Sequence, residues 1–187
     1  MSEGGTARHY GVLHVMGSDR VGILQEAAAF VSQRGGAIEE GISHTLSTEA
    51  VVLLHVSGTP EQMALVERDT SHLAERLKLR TFFTAIRNPD PARSREALPL
   101  TLRVSSPNFA GLLEALTGFF TRHGLSIIAH HTNKSVLPHS QGAVTYRHKF
   151  TVLLPSEFNR KRFIAELDQL AQTADFIRDD ISHSDFY

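Results

Sequence analysis

The sequence of 187 residues repeats itself at an offset of 89 positions, which places Val15 opposite Val104. A repeat of this length constrains the fold strongly, because each copy must form a core of its own or share one with its twin. Residues 15–43 align with residues 104–132 without a gap, and six aligned positions are identical: Val15/Val104, Gly22/Gly111, Leu24/Leu113, Phe30/Phe119, Gly35/Gly124 and Ile38/Ile127. The repeat predicts two small domains instead of one large one.

The first copy has the order strand, helix, strand, strand, helix, strand. Its first helix is predicted over Arg20–Arg34, because apolar residues recur there at helical spacing, Ser18 or Asp19 can cap its N-terminus, and Gly35 can end it. Thr59-Pro60 predicts the start of the second helix, with threonine as the cap and proline as the first helical residue. Strands are expected at Tyr10–Met16, Ala37–Leu46, Glu49–Ser57 and Lys78–Arg87.

The second copy has the same order. Its helices are predicted over Pro107–His123, with Ser106 as N-cap, and over Ser156–Thr173. Its strands are expected at Leu98–Val104, Leu125–Ser135, Ala143–Leu154 and Ala174–Ile181. We therefore predict an α+β protein of two ferredoxin-like βαββαβ domains in tandem, with antiparallel sheets and helices on one face. Domain 1 spans 9–87, a polar linker with two prolines spans 88–97, and domain 2 spans 98–181.

Charge and composition narrow the classes of function. Lys and Arg total 19 against 20 Asp and Glu, which gives a formal net charge of −1, and the basic residues are dispersed. We therefore expect no direct binding of nucleic acid. Without cysteine the chain has no disulfide and no thiolate site. The apolar runs are too short to span a bilayer and no signal peptide is visible, so a soluble cytoplasmic protein without membrane contact is expected.

Signatures of catalysis are missing from the sequence. It contains no nucleophile elbow, no phosphate-binding glycine-rich loop and no dinucleotide fingerprint, so we expect no enzyme, no catalytic residue and no cofactor. Histidines number 11, and the adjacent His130 and His131 are followed by His139 and His148. Neighbouring residues on a strand point to opposite faces, so His130 and His131 cannot easily share an ion. Ordinary histidines are expected, and no metal site.

The turn Gly17–Leu24 is the first candidate binding site. A glycine in the first turn of a helix lowers helix propensity by up to about 1 kcal/mol relative to alanine, so Gly22 needs a compensating role. A ligand carboxylate or phosphate could approach the free N–H groups of the helix, while Asp19 takes a ligand ammonium group. Alternatively, Gly22 and its counterpart Gly111 let the helix pack closely on its sheet. The spacing of the residues leaves both interpretations open.

The same turn resembles the opening signature of ACT domains, which are small modules that bind amino acids or other small metabolites. That signature reads Asp-Arg-Pro-Gly-[Ile/Leu]-[Leu/Val], and residues 19–24 read Asp-Arg-Val-Gly-Ile-Leu. The resemblance covers both copies, residues 9–87 and 98–181. In the second copy the matching stretch is Pro107–Leu113, where Asn108 replaces the aspartate and Phe109 the arginine. Two such domains with no further module resemble the glycine cleavage system transcriptional repressor family.

The resemblance implies a ligand site between paired domains, formed by the first turn of one domain and the second strand of its neighbour. It assigns ligand-binding roles to Asp19, Arg20, Val21, Gly22, Ile23 and Leu24 in the first copy, and to Asn108, Phe109, Ala110, Gly111 and Leu112 in the second. The candidates on the second strands are Glu40 and Ile42, and Ala129 and His131. A shift of one residue in register would reverse the faces of these four.

The resemblance also implies a function. It is that of a non-enzymatic regulator that binds a small amino acid at the interface of its ACT domains and modulates a transcriptional regulator of amino-acid or one-carbon metabolism. Glycine is the first candidate ligand, and an activator of the glycine cleavage operon is the first candidate partner. The alternative is a regulatory subunit or adaptor of a metabolic enzyme that acts through protein contact. Edge strands of such sheets pair readily, so a homodimer stays open as well.

Overall fold

The computed structural model describes residues 8–87, 98–136, 144–155 and 157–183. The chain divides into two compact units, Met1–Pro89 (unit 1) and Asp90–Tyr187 (unit 2). Within the described residues, each unit forms a four-stranded antiparallel sheet and two helices in the order βαββαβ. The predicted fold class, α+β with two ferredoxin-like domains in tandem, is confirmed. The linker predicted at 88–97 lies outside the described residues.

Unit 1 contains the strands β1 (His9–Ser18), β2 (Ala37–Leu46), β3 (Glu49–Gly58) and β4 (Arg80–Ile86), and the helices α1 (Ile23–Ser32) and α2 (Pro60–Leu77). The strands lie in the order β2-β3-β1-β4. Side chains alternate between the two faces of the central strands, and one face packs on the helices. That face and the helices form the buried core, which includes Leu13, Val15, Val52, Leu54, Ala27, Phe30, Val66 and Leu73. We call the two faces of each sheet the helix side and the open side.

Unit 2 contains the strands β5 (Leu98–Ser106), β6 (Ser126–Val136), β7 (Val144–Leu154) and β8 (Ile177–His183), and the helices α3 (Phe109–Arg122) and α4 (Arg160–Thr173). The strands lie in the equivalent order β6-β7-β5-β8. Its core is rich in aromatic rings, since Phe119, Phe120, Phe150 and Phe163 are all buried and contact one another in pairs. Across the described ranges of both units, no helix is long and apolar enough to cross a membrane.

The start of α2 is confirmed as predicted. Thr59 is the N-cap and Pro60 the first helical residue. The Gln62 backbone N–H donates to Thr59 Oγ1 at 3.3 Å, and the Thr59 N–H donates to Gln62 Oε1 at 2.8 Å. Two donors that the helix leaves without partners are thereby satisfied. The first helix of each unit is followed by a glycine with positive φ, Gly35 at 74° and Gly124 at 67°, which confirms both predicted helix stops.

The predicted starts of the other three helices were wrong by two to four residues. Helix α1 begins at Ile23 instead of Arg20, α3 at Phe109 instead of Pro107, and α4 at Arg160 instead of Ser156. In α3 and α4 an asparagine, Asn108 or Asn159, serves as N-cap. Asparagine is among the strongest N-caps and sets the start nearer the first buried residue. In α1 the left-handed conformation of Gly22 breaks the helix before Ile23.

Candidate functional site

The β1–α1 turn of unit 1 is held against the hairpin that joins β2 to β3. The Asp19 backbone N–H donates to the carbonyl oxygen of Thr48 at 2.8 Å. The Thr45 hydroxyl donates to Asp19 Oδ2 at 3.1 Å. Asp19 is exposed, so its carboxylate is fixed on one side by Thr45 and open to solvent on the other. The predicted site residue Asp19 therefore occupies a defined position at the surface.

Gly22 is the N-cap of α1 and adopts the left-handed conformation, with φ of 96° and ψ of −7°. No side chain caps this helix. A Cβ at Gly22 would lie 3.6 Å from Glu26 Oε1 and 3.9 Å from Arg20 Nη1, which are ordinary contacts, and no atom of the sheet comes closer. Glycine is thus required by the backbone conformation and not by close packing on the sheet. Close packing on the sheet therefore does not explain the glycine at position 22.

The charged side chains beside the turn are paired. Arg20 Nη1 donates to Glu26 Oε1 at 2.7 Å, and Arg76 Nε lies 4.0 Å from Glu26 Oε2. The hydrogen bond from Arg20 is the main cause that lowers the pKa of Glu26, and it raises the pKa of Arg20. Arg20 is exposed and Glu26 is half-buried, so the pair acts chiefly to position the guanidinium beside the helix start.

Two apolar side chains of the turn are open to solvent. Val21 is 97% exposed and Leu24 is 47% exposed, whereas Ile23 between them is buried in the core. Ile23 therefore anchors the helix start and does not itself offer a surface. The residues predicted from the turn of unit 1 thus divide into one anchor and a set at the surface, which comprises Asp19, Arg20, Val21, Gly22 and Leu24.

Within unit 1, the predicted second-strand residues lie on the face of the sheet opposite to Thr45. Glu40 pairs with His55 and Ile42 with Leu53, and both pairs lie on the open side of the sheet. The helix side of β2, which faces the turn, carries Thr45. A bulge between Ile38 and Glu40 sets this register. The sequence did not predict Thr45 as a site residue. Its hydroxyl, near the end of β2, is the group that contacts Asp19.

The equivalent turn of unit 2 is closed by its own side chains. Asn108 Oδ1 accepts a hydrogen bond from the Gly111 backbone N–H at 3.0 Å and so caps α3. A Cβ at Gly111 would lie 2.6 Å from Asn108 Nδ2, so glycine at this position makes room for the cap. The Asn108 N–H in turn donates to Ser106 Oγ at 3.0 Å. Gly22 and Gly111 therefore occupy equivalent positions for different reasons.

Phe109 packs beside the strand β7, at ring-centroid distances of 5.5 Å from Tyr146 and 5.3 Å from His148. Leu112 is fully buried, while Ala110 is exposed. On the second strand of this unit, Ala129 pairs with Thr151 and His131 with Lys149, both on the open side. Within unit 2, Ala129 and His131 therefore lie on the face of the sheet opposite to His148, which Phe109 contacts.

The adjacent histidines of β6 lie on opposite faces, as predicted. His130 pairs with Phe150 on the helix side, and His131 with Lys149 on the open side. His130 contacts His148 of β7, a pairing that the sequence reasoning did not foresee. Burial lowers the pKa of both His130 and His148, and the neighbouring histidine adds to the shift. Within the described residues, no three side chains of His, Asp or Glu are grouped to hold a metal ion; His139 lies outside them.

Comparison with solved structures supports the fold. A crystal structure of a protein assigned as a glycine cleavage system transcriptional repressor has a TM-score of 0.74 and 21% sequence identity, with 95% of this chain and 99% of that chain covered. A protein of unknown function from Galdieria sulphuraria has a TM-score of 0.76 and 20% identity, with 97% and 100% covered. No protein-family model and no curated protein matches the sequence. These likenesses confirm the predicted fold of two ferredoxin-like domains in tandem.

Proposed function

We propose that the chain is a non-enzymatic regulatory protein that binds a small amino acid at the β1–α1 turn of unit 1. Binding changes its affinity for a transcriptional regulator of amino-acid or one-carbon metabolism. The observation that carries the proposal is the start of α1, where Gly22 holds a left-handed N-cap and no side chain caps the helix. Backbone N–H groups and the helix dipole favour a carboxylate at such a start.

The groups around the turn match the two charged ends of an amino acid. The α-carboxylate takes the N–H groups at the start of α1, and the ammonium group takes the exposed carboxylate of Asp19. Glu26 would repel a carboxylate at this place, but Arg20 at 2.7 Å and Arg76 at 4.0 Å offset its charge. Exposed Val21 and Leu24 supply a small apolar contact. Glycine is the smallest ligand with both charged ends and is the first to test.

The likeness to a protein assigned as a glycine cleavage system transcriptional repressor supports the choice of glycine and of a transcriptional regulator as partner. A ligand transmits a signal only if it binds two states of the protein with different affinity. Asp19 is joined to the β2–β3 hairpin through Thr45 and Thr48, so the hairpin is the element that a ligand at Asp19 would bias.

Isothermal titration calorimetry of the whole chain against glycine, alanine, serine and larger amino acids tests the proposal. We expect saturable binding of a small amino acid, and loss of at least about tenfold in affinity in Asp19→Asn, because a charge-assisted hydrogen bond is replaced by a neutral one. Asp180→Asn removes an exposed carboxylate of unit 2 and is the matched control. Absence of binding at millimolar concentrations of every amino acid would contradict the proposal. Ligand-independent co-purification with a metabolic enzyme would favour the adaptor function instead.

A further inference from the structure

The helix side of unit 2 contains a group of side chains that meet beside the β5–α3 turn. We call His130, Thr132, His148 and Phe109 the histidine cluster. His130 and Thr132 lie on β6, and His148 lies on β7 directly opposite Thr132. Phe109 is the first residue of α3, and its ring lies 5.3 Å from that of His148 at an interplanar angle of 27°. The cluster therefore joins two strands to the turn.

The repeat shows that the fold does not require this cluster. At the offset of 89 positions, unit 1 has Gly41 where unit 2 has His130, and Ser43 where unit 2 has Thr132. The strand registers place Val52 at the position of His148, because Val15 pairs with Val52 and Val104 with His148. Unit 1 forms the same sheet with glycine, serine and valine. The two histidines are thus specific to unit 2, where both rings stack on Phe150 of the core.

The polar atoms of the cluster are hydrogen-bonded to one another. His130 Nε2 and His148 Nδ1 lie 3.2 Å apart, and Thr132 Oγ1 lies 3.0 Å from each of them. One imidazole N–H and one hydroxyl hydrogen satisfy this triangle when both histidines are neutral. His148 is 2% exposed, and its Nε2 is buried without a hydrogen-bond partner. A proton added to His148 therefore places a charge on a buried ring whose Nε2 has no hydrogen-bond partner.

The charges around the cluster oppose protonation as well. The groups that act on the pair are the two histidines themselves and His131 on the open side of β6, and all of these favour the neutral forms. On the helix side, the next titratable residues along β6 and β7 are Lys134 and Tyr146. The strand β5 presents Val104 and Ser106 to this region, and Glu114 of α3 is exposed. Among the described residues, no carboxylate stabilises a charged histidine in the cluster.

We propose that the histidine cluster is a proton-sensitive latch, in which neutral His130 and His148 hold Phe109 against β7 and keep the β5–α3 turn closed, and protonation releases the turn. The position that serves a small ligand in unit 1 would then respond to protons in unit 2. This inference rests on the contacts within unit 2 and does not require that unit 1 binds a ligand.

Phe109 is the part of the cluster that can move. It is 38% exposed, whereas His148 beneath it is almost completely buried. A charged His148 gains hydration only if the ring that covers it leaves. Because Phe109 follows Asn108 directly, its release also disturbs the hydrogen bond of 3.0 Å from the Gly111 N–H to Asn108 Oδ1. Exchange of the Gly111 amide hydrogen therefore reports the state of the turn.

The test combines histidine titration and amide exchange by NMR on the whole chain, between about pH 7.5 and about pH 5. We expect His130 and His148 to titrate below 6.5, the ordinary value, and the protection factor of Gly111 to fall at least about tenfold over the same interval. His148→Val, which installs the residue that unit 1 carries, should abolish the fall. His131→Gln removes a neighbouring histidine from the open side and should retain it.

Phe109→Leu tests the latch without altering a histidine. The midpoint of His148 should rise toward 6.5 once its cover is reduced, and the protection of Gly111 should lose its dependence on pH. If His148→Val does not fold, Phe109→Leu provides the test in its place. A wild-type protein in which the histidines titrate while the protection of Gly111 stays constant would overturn the proposal. An unchanged His148 midpoint in Phe109→Leu would overturn it as well.

Discussion

Thr45 Oγ1 donates a hydrogen bond of 3.1 Å to Asp19 Oδ2, so the end of β2 is joined to the turn that precedes α1. The backbone supports the same contact, because the Asp19 N–H donates to the Thr48 carbonyl at 2.8 Å. The hydroxyl fixes one carboxylate oxygen of Asp19 at the exposed surface. The orientation of the candidate ligand-binding carboxylate thus depends on a residue 26 positions further along the chain.

Thr45→Val should weaken the binding of the proposed amino-acid ligand by about three- to tenfold. A side-chain hydrogen bond contributes about 0.5–1.5 kcal/mol, and without it Asp19 samples other orientations. Calorimetric titration of the whole chain measures the change. Thr48→Val is the matched control, because Thr48 holds Asp19 through its backbone carbonyl, which the substitution keeps. Equal affinity of the Thr45→Val variant and the wild type would contradict the role of this hydroxyl.

Gly22→Ala should lower the free energy of unfolding by about 1–2 kcal/mol, because alanine is strained at φ of 96°. Gly22→Asn should lower it less, since asparagine tolerates the left-handed region. The matched control is Gly118→Ala, inside α3, where the nearest atom to a new Cβ is Arg122 Nη1 at 3.6 Å. That variant should gain up to about 1 kcal/mol from helix propensity. Urea denaturation measures all three, and equal effects of Gly22→Ala and Gly118→Ala would contradict the conformational role.

Asn108→Ala should lower the free energy of unfolding by about 1 kcal/mol, since it removes the cap that accepts from the Gly111 N–H. Asn108→Asp restores an acceptor and should retain most of the stability. Thermal denaturation, followed by circular dichroism, compares the two variants. Equal loss in both would show that the amide contributes through another contact.

Much of the fold follows from the sequence because the repeat and the local signals agree. Apolar periodicity located the eight strands and four helices that the described residues form, and Thr59-Pro60, Gly35 and Gly124 marked helix ends correctly. The start of α1 could not be predicted from these local signals. Glycine can adopt both the helical and the left-handed conformation, so its presence at position 22 does not show which one the chain takes there.

The register of β2 was the second feature that the sequence did not predict. The two-residue turn Ser47-Thr48 pairs Leu46 with Glu49, so Thr45 lies opposite Ala50. Residues 50–54 are all apolar, however, and such a run does not show which face is buried. The bulge at Glu39 then shifts the residues before it. Predicting the contact of Thr45 with Asp19, or that of His130 with His148, requires the register between strands, and the sequence of one strand does not contain it.

Acidification should lower the free energy of unfolding in two separate intervals of pH. Burial lowers the pKa of His14, His130 and His148, so the unfolded chain binds more protons than the folded one as pH falls through 6.5. Their stabilising effect is therefore complete above that value and is lost progressively below it, toward the lowered pKa of each folded-state histidine. Urea denaturation at intervals between about pH 8 and about pH 5 measures this loss. His148→Val should reduce this loss more than His131→Gln, because His131 makes only the smaller contribution to the lowered pKa of His130. A constant stability across the interval would contradict the prediction. The second, more acidic interval lies below the ordinary carboxyl pKa values of 3.8 to 4.5. There the protein loses the stability contributed by carboxylates whose pKa is lowered by hydrogen bonds from arginine, namely Glu26, Asp69 and Glu166.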